Sequence, residues 1–242
     1  EDNLLLALDS LVQANTSGIN VEVLPVLNYP ENKGAQFQDF HEQQRAQLLL
    51  YSEKNNRPGF TIHCLPIQLL PPKHAGVGLA RKTGIDEAVR RFHQIRKPKG
   101  IILNFDADCI CHENYFQSIF NYYQMPAAKP AVSIGFAHPL VNIPEKQRQA
   151  IIDYELHLRY YINAQKYFNY PFAIQTLGSC FGVTAESYCA QGGMNKRQAG
   201  EDFYFLHKFS VLDQLGEINE ALVYPSSRKS DRVPFGTGKA IG

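Results

Sequence analysis

Gly100-Ile101-Ile102-Leu103-Asn104-Phe105-Asp106-Ala107-Asp108 is the stretch on which the fold turns. A mostly apolar run between a glycine and two acids reads as a strand covered on both faces, as inside a parallel sheet. Working outward, helix and strand patterns alternate on either side. Upstream, Ile85, Ala88, Val89, Phe92 and Ile95 fall at helical spacing, and Phe60 to Pro66 reads as the strand before them. Further back, Phe37, Phe40, Leu48 and Tyr51 mark a helix, Asn20 to Leu27 a strand, and Leu4, Leu5, Leu8, Leu11 and Val12 the first helix. Downstream, Phe116, Ile119, Phe120 and Tyr123 start a helix, and Ala131 to Phe136 follows as a strand. This alternation predicts an α/β fold with a mostly parallel sheet flanked by helices.

The second half is less regular. Residues 145–163 read as a helix with Ile151, Tyr154, Leu158 and Tyr161 on one side, and residues 200–212 as another. Thr176 to Thr184 holds two glycines among apolar residues and suits a bent strand or loop. Residues 225–242 are polar and rich in Gly, Ser and basic side chains, which predicts a mobile C-terminal loop or arm. With neither repeat nor linker, 242 residues are expected to form one domain, 1–242, with a sizeable core. Glu1-Asp2-Asn3 stands directly before an apolar-periodic helix, where an α/β domain would have a strand, so a first strand is expected to be missing.

Composition narrows the classes. The chain is 44% hydrophobic, 12% aromatic and 19% charged, which excludes disordered, collagenous and coiled-coil compositions. A net charge of +1 gives a nucleic-acid partner no support. No apolar run approaches the roughly 20 residues of a membrane helix. Five cysteines, an odd number without framework spacing, suit a reducing compartment.

Four stretches can carry chemistry. Asp106 and Asp108 lie immediately after the buried strand, and open α/β sheets bind ligands beyond the carboxyl ends of their strands. The pair fits hard-oxygen ligands of Mg²⁺ or Mn²⁺ shared with phosphates, or equally two solvated turn acids that cap the next helix. Glu201 and Asp202 follow Gly200 into a helix, where acids are stabilised by the dipole and where a carboxylate can also serve as a general base. Ala75 to Ala88 joins a strand to a helix, with glycines for a tight turn and Arg81-Lys82 either solvated or facing a diphosphate. Its ending excludes a Walker A loop. Ser227 to Lys239, with Arg228 and Arg232, suits a loop closing over an anion, or a plain terminus. Cys109-Ile110-Cys111-His112 lacks a second Cys/His pair and is expected to pack at the start of a helix.

Together these motifs resemble the family 2 glycosyltransferases of the GT-A fold, in order across nearly the whole chain. Gly76 to Ala88 is similar to the family's Gly-x-x-x-Ala-Arg-Asn-x-Gly-Ile stretch, with Lys82 in the Asn place. Asp106-Ala-Asp108 resembles the metal-binding acid pair, Gly178-Ser-Cys-Phe-Gly182 the segment beside the acceptor, and Gly200-Glu-Asp202 the pair whose Asp is the usual base. The family carries Asp residues after its second strand, whereas this chain has Asn28-Tyr29-Pro30-Glu31-Asn32, in which Asn28 can hydrogen-bond a base edge.

The resemblance implies a Rossmann-like GT-A sheet and a metal-dependent, inverting transfer from a UDP- or GDP-sugar. Asp106 and Asp108 would hold Mn²⁺ or Mg²⁺ and the donor, with Asn28, Arg81, Arg228 and Arg232 also on the donor and Gly178 and Ser179 on the acceptor side. Asp202 would be the base, and Glu201 would orient the base or the acceptor. The acceptor would be a glycan or lipid-linked sugar, in polysaccharide synthesis in the cytoplasm or at the inner face of the membrane. Two alternatives remain open at this point: a sugar-phosphate nucleotidyltransferase, and a noncatalytic nucleotide- or carbohydrate-binding module.

Overall fold

The computed structural model describes residues 4–170, 172–197 and 200–228. The first helix, α1 (Leu4–Gln13), turns Ala7, Leu8 and Leu11 inward, as the leucine spacing predicts. Two short strands follow: β1 (Val21–Val23), within the strand expected from Asn20 to Leu27, and β2 (Asn28–Pro30), just beyond it. Pro25 lies between them, and a proline cannot donate a hydrogen bond to a ladder. Helix α2 (Ala35–Asn55) then leads to β3 (Phe60–Ile62) and β4 (Gln68–Leu70). Strand β1 pairs with β3 in parallel, and β2 with β4 in parallel.

Helix α3 (Val77–Gln94) begins eight residues before Ile85, the first residue of the expected helical pattern, and takes in the Gly78 to Gly84 stretch whose two glycines read as a turn. Strand β5 (Ile101–Asn104) forms at the expected place. After it come β6 (Ile110–Cys111), α4 (Tyr115–Gln124), β7 (Ala131–Phe136) and α5 (Glu145–Tyr167). The remainder is β8 (Phe181–Thr184), α6 (Ala185–Ala190), α7 (Glu201–Val211) and β9 (Leu215–Tyr224).

The fold is mixed α/β, and its largest sheet has five strands in the order β5-β8-β7-β9-β6. It mixes directions, since β7 runs parallel to β9 while β6 runs antiparallel to it. One feature departs from expectation. Cys109 to Cys111 enters the edge strand β6 rather than a helix start. Strand β9 carries no clear alternation in sequence, because only Leu222 and Val223 are buried along its ten residues.

The chain divides into two compact units, one formed by Glu1–Ala14, Leu103–Gly182 and Leu206–Gly242, the other by Asn15–Ile102 and Val183–Phe205. In the first, Ala131, Val132 and Ile134 of β7, Leu222 and Val223 of β9 and Ile119 of α4 are buried. The ladder between β7 and β9 slips at Gly135, which pairs with Ala221 after Ile134 pairs with Ile218. A side chain at Gly135 would meet the Asn219 carbonyl oxygen at 2.8 Å, so the bulged strand needs a glycine there. In the second unit, Phe60, Ile62, Leu48, Ile85 and Tyr188 are buried.

Candidate functional site

The chemistry-bearing residues form one group in each unit. In the first unit the chain turns sharply after β5, with the Cys109 N–H donating to the Asp106 carbonyl at 3.0 Å. The turn delivers Asp106 and Asp108 to the carboxyl end of a sheet strand, where ligands of open α/β sheets collect. Asp108 Oδ2 accepts from Arg228 Nε at 3.1 Å and lies 2.8 Å from Arg228 Nη2. Two residues singled out in the sequence, 120 positions apart, are thus an ion pair.

The beginning of the expected C-terminal arm makes defined contacts. Ser227 is buried, its Oγ donates to the Pro139 carbonyl at 2.8 Å, and its own carbonyl accepts from the Gln147 side chain. This anchoring aims Arg228 at Asp108. Arg232 and the rest of the expected arm, residues 229–242, lie outside the described residues.

The floor of the turn is a set of buried small polar groups. The Cys109 thiol donates to Asp108 Oδ1 at 3.9 Å. Burial, reinforced by the charge of Asp106, pushes its titration far up. Ser179 is buried, in hydrogen-bonding contact with Cys109 and with its Oγ 3.4 Å from Cys180 Sγ. Gly178 is buried as well. Through Cys109, Ser179 supports the aspartate turn from within.

Asn104, the last residue of β5, is buried, and its Nδ2 has no hydrogen-bond partner among the described residues. A buried amide donor without a partner is costly and suits a ligand oxygen. Among the described residues no group of three or more His, Cys, Asp or Glu side chains is gathered to hold a metal. Asp106 and Asp108 are the residues of this turn that could hold a divalent cation of the Mg²⁺ kind, which takes one or two carboxylates and fills the rest of its shell with water and phosphate oxygens.

In the second unit, Arg81 and Glu201 meet. Arg81 Nη1 donates to Glu201 Oε1; Glu201 is buried to 2% exposure and the Arg81 side chain is 11% exposed. Burial pushes the Glu201 carboxyl above its ordinary value against the opposing charge of Arg81. Helix α3 reaches Glu201 closely because of Gly78, where an added side chain would lie 3.1 Å from Glu201 Cβ and overlap the Arg197 carbonyl. Asp202 is half-buried beside Glu201, and its Oδ1 accepts from the Phe203 N–H at 2.8 Å. Gly200, at φ +70°, sets the entry into α7. Arg197, which the sequence did not single out, lies with its guanidinium 3.8 Å from the centre of the Tyr204 ring.

Lys82 pairs with Asp86 at 2.9 Å on its own helix, and Asp86 also accepts from the Tyr188 hydroxyl at 2.7 Å. This is structural cross-bracing of α3 and α6. Asn28, half-buried, places Nδ2 3.4 Å from the Val26 carbonyl.

A further cluster was invisible in sequence. The His138 side chain is wholly buried just after β7, with Nδ1 2.8 Å from Glu155 Oε1, and Arg159 donates to the other oxygen at 2.6 Å. Burial acts to raise the Glu155 carboxyl, but the hydrogen bonds from His138 and Arg159 outweigh it and bring it to about 2. Only the Glu155–Arg159 spacing of four is visible beforehand, and on a helix that pattern is common.

No family model matches the chain, and no curated protein matches it.

Proposed function

We propose that the chain is a metal-dependent, inverting glycosyltransferase of the GT-A type, similar to the family 2 enzymes. It moves a sugar from a UDP- or GDP-sugar to a hydroxyl of a glycan or lipid-linked acceptor. The observation that carries the proposal is the Asp108–Arg228 pair on the turn after β5. Carboxylates, an arginine fork and the buried donor of Asn104 at one strand end suit a nucleoside diphosphate.

Asp106 and Asp108 are the residues that would hold Mn²⁺ or Mg²⁺, which when bound neutralises charge on the leaving diphosphate. Arg228 adds a fixed positive charge to the same diphosphate. Asp202 takes the proton of the acceptor hydroxyl. The acceptor oxygen bonds the anomeric carbon as the bond to the diphosphate breaks, and the configuration inverts. All five cysteines are free thiols, which suits a reducing, cytoplasmic setting. Among the described residues no helix is long and apolar enough to cross a membrane.

The test is a nucleotide-sugar panel with Mn²⁺ and Mg²⁺ on the wild type, Asp108→Asn and Asp202→Asn. Asp108→Asn is expected to lose metal-dependent donor binding. Asp202→Asn is expected to keep donor binding and lose transfer by roughly 10²–10⁴-fold, the range of general-base contributions. Unchanged donor affinity in Asp108→Asn, or full transfer by Asp202→Asn, sinks the respective role.

A further inference from the structure

We infer that Arg81 is a positioning residue: through its buried pair with Glu201 it fixes the first turn of α7 and hence the carboxylate of Asp202. The inference rests on the transferase reading, in which Asp202 is the base, and it replaces the expectation that Arg81 grips the donor diphosphate.

Three observations in one unit carry it. The Arg81 guanidinium donates to a Glu201 carboxylate that is itself only 2% exposed. Moving that guanidinium to a diphosphate would strand a buried carboxylate, which is far costlier than losing an exposed ion pair. Gly78 and Arg81, three apart on α3, face the same neighbour. At Gly78 the helix backbone comes so close to Arg197 and Glu201 that no side chain fits. On the α7 side, Gly200 at φ +70° and the Arg197–Tyr204 stack restrain the chain before and after Glu201. Asp202 is the next residue, and its carboxylate is oriented by the Phe203 N–H. A general base must be held within a few tenths of an ångström, and residues packed behind it do that holding.

A diphosphate ligand and a positioning residue differ in what their removal changes. Loss of a diphosphate ligand raises the donor KM and weakens nucleoside diphosphate binding. Loss of a positioning residue lowers kcat and leaves both unchanged. Three variants are compared with the wild type: Arg81→Lys, Glu201→Gln, and the double Arg81→Met/Glu201→Met, which removes both charges at similar volume and is expected to fold where a stranded charge would not. Transfer is measured under steady state, binding of the nucleoside diphosphate with Mn²⁺ by calorimetry, and folding by thermal melting.

The expected result is that the double variant melts within a few degrees of the wild type, binds the diphosphate within about twofold, and loses kcat by on the order of 10²-fold. Arg81→Lys, which keeps the charge, recovers part of that kcat. Glu201→Gln, where it folds, matches the double variant in KM. A double variant with a donor KM raised tenfold or more and kcat retained overturns the positioning role and leaves the transferase proposal standing. A wild type that transfers from no nucleotide sugar overturns both.

Discussion

Asp108 illustrates what single residues in this chain can and cannot announce. Its position after an apolar strand is legible, and so is the presence of arginines near residue 228. That Arg228 in particular sits on Asp108 is not, because Ser227 must first be anchored by Pro139 and Gln147. Arg228→Ala is expected to strengthen Mn²⁺ binding in the absence of nucleotide and to weaken nucleoside diphosphate binding, each by ~2- to 5-fold, the scale of a partly exposed ion pair. Opposite shifts for metal and diphosphate in titration calorimetry are the signature; an unchanged metal affinity means that guanidinium and cation do not compete. Glu201 shows the converse. Sequence placed it at a helix start, where an acid is ordinarily solvated, and the structure buries it against Arg81. No local pattern reports a partner 120 residues away.

Among elements, periodicity found the strongly patterned pieces and missed the others. Helices α1 and α4 and strand β7 show their buried residues in sequence, while β5, expected to be covered on both faces, buries alternate residues only. Strand β9 does not show its own, since most of its side chains are only partly covered and its pairing with β7 is interrupted by a bulge. Strand β4 and helix α6, three and six residues long, are too short for a pattern. The glycines gain meaning at this scale. Gly78 was expected to permit a turn, but its role is to let α3 touch the start of α7. Gly78→Ala and Gly135→Ala are each expected to destabilise by about 1–3 kcal/mol, since the added methyl meets backbone. Gly34→Ala, with nothing within 4 Å, is the control and should melt with the wild type. A Gly78→Ala melting curve equal to that of Gly34→Ala would contradict the close approach.

For the molecule as a whole, Glu155 contributes to acid stability. Its carboxyl is held at about 2 against an ordinary 4.5, so the folded state favours the ionised form. The resulting stability is complete above the unfolded value and is lost as pH falls from about 4.5 through about 2. Glu155→Gln should melt lower than the wild type at neutral pH, and the gap should close toward pH 2. A gap that stays constant across that range would remove Glu155 from the acid transition. By itself the sequence determined the α/β class, the place of β5 and the identity of the acids beyond it, because burial of a strand and the chemistry of an acid are local properties. The mixed direction of the five-stranded sheet, the Arg81–Glu201 and Asp108–Arg228 pairs and the His138–Glu155–Arg159 cluster were decided only by tertiary structure. Each depends on which distant segments pack together, and the energy that selects those partners is absent from any short window of the chain.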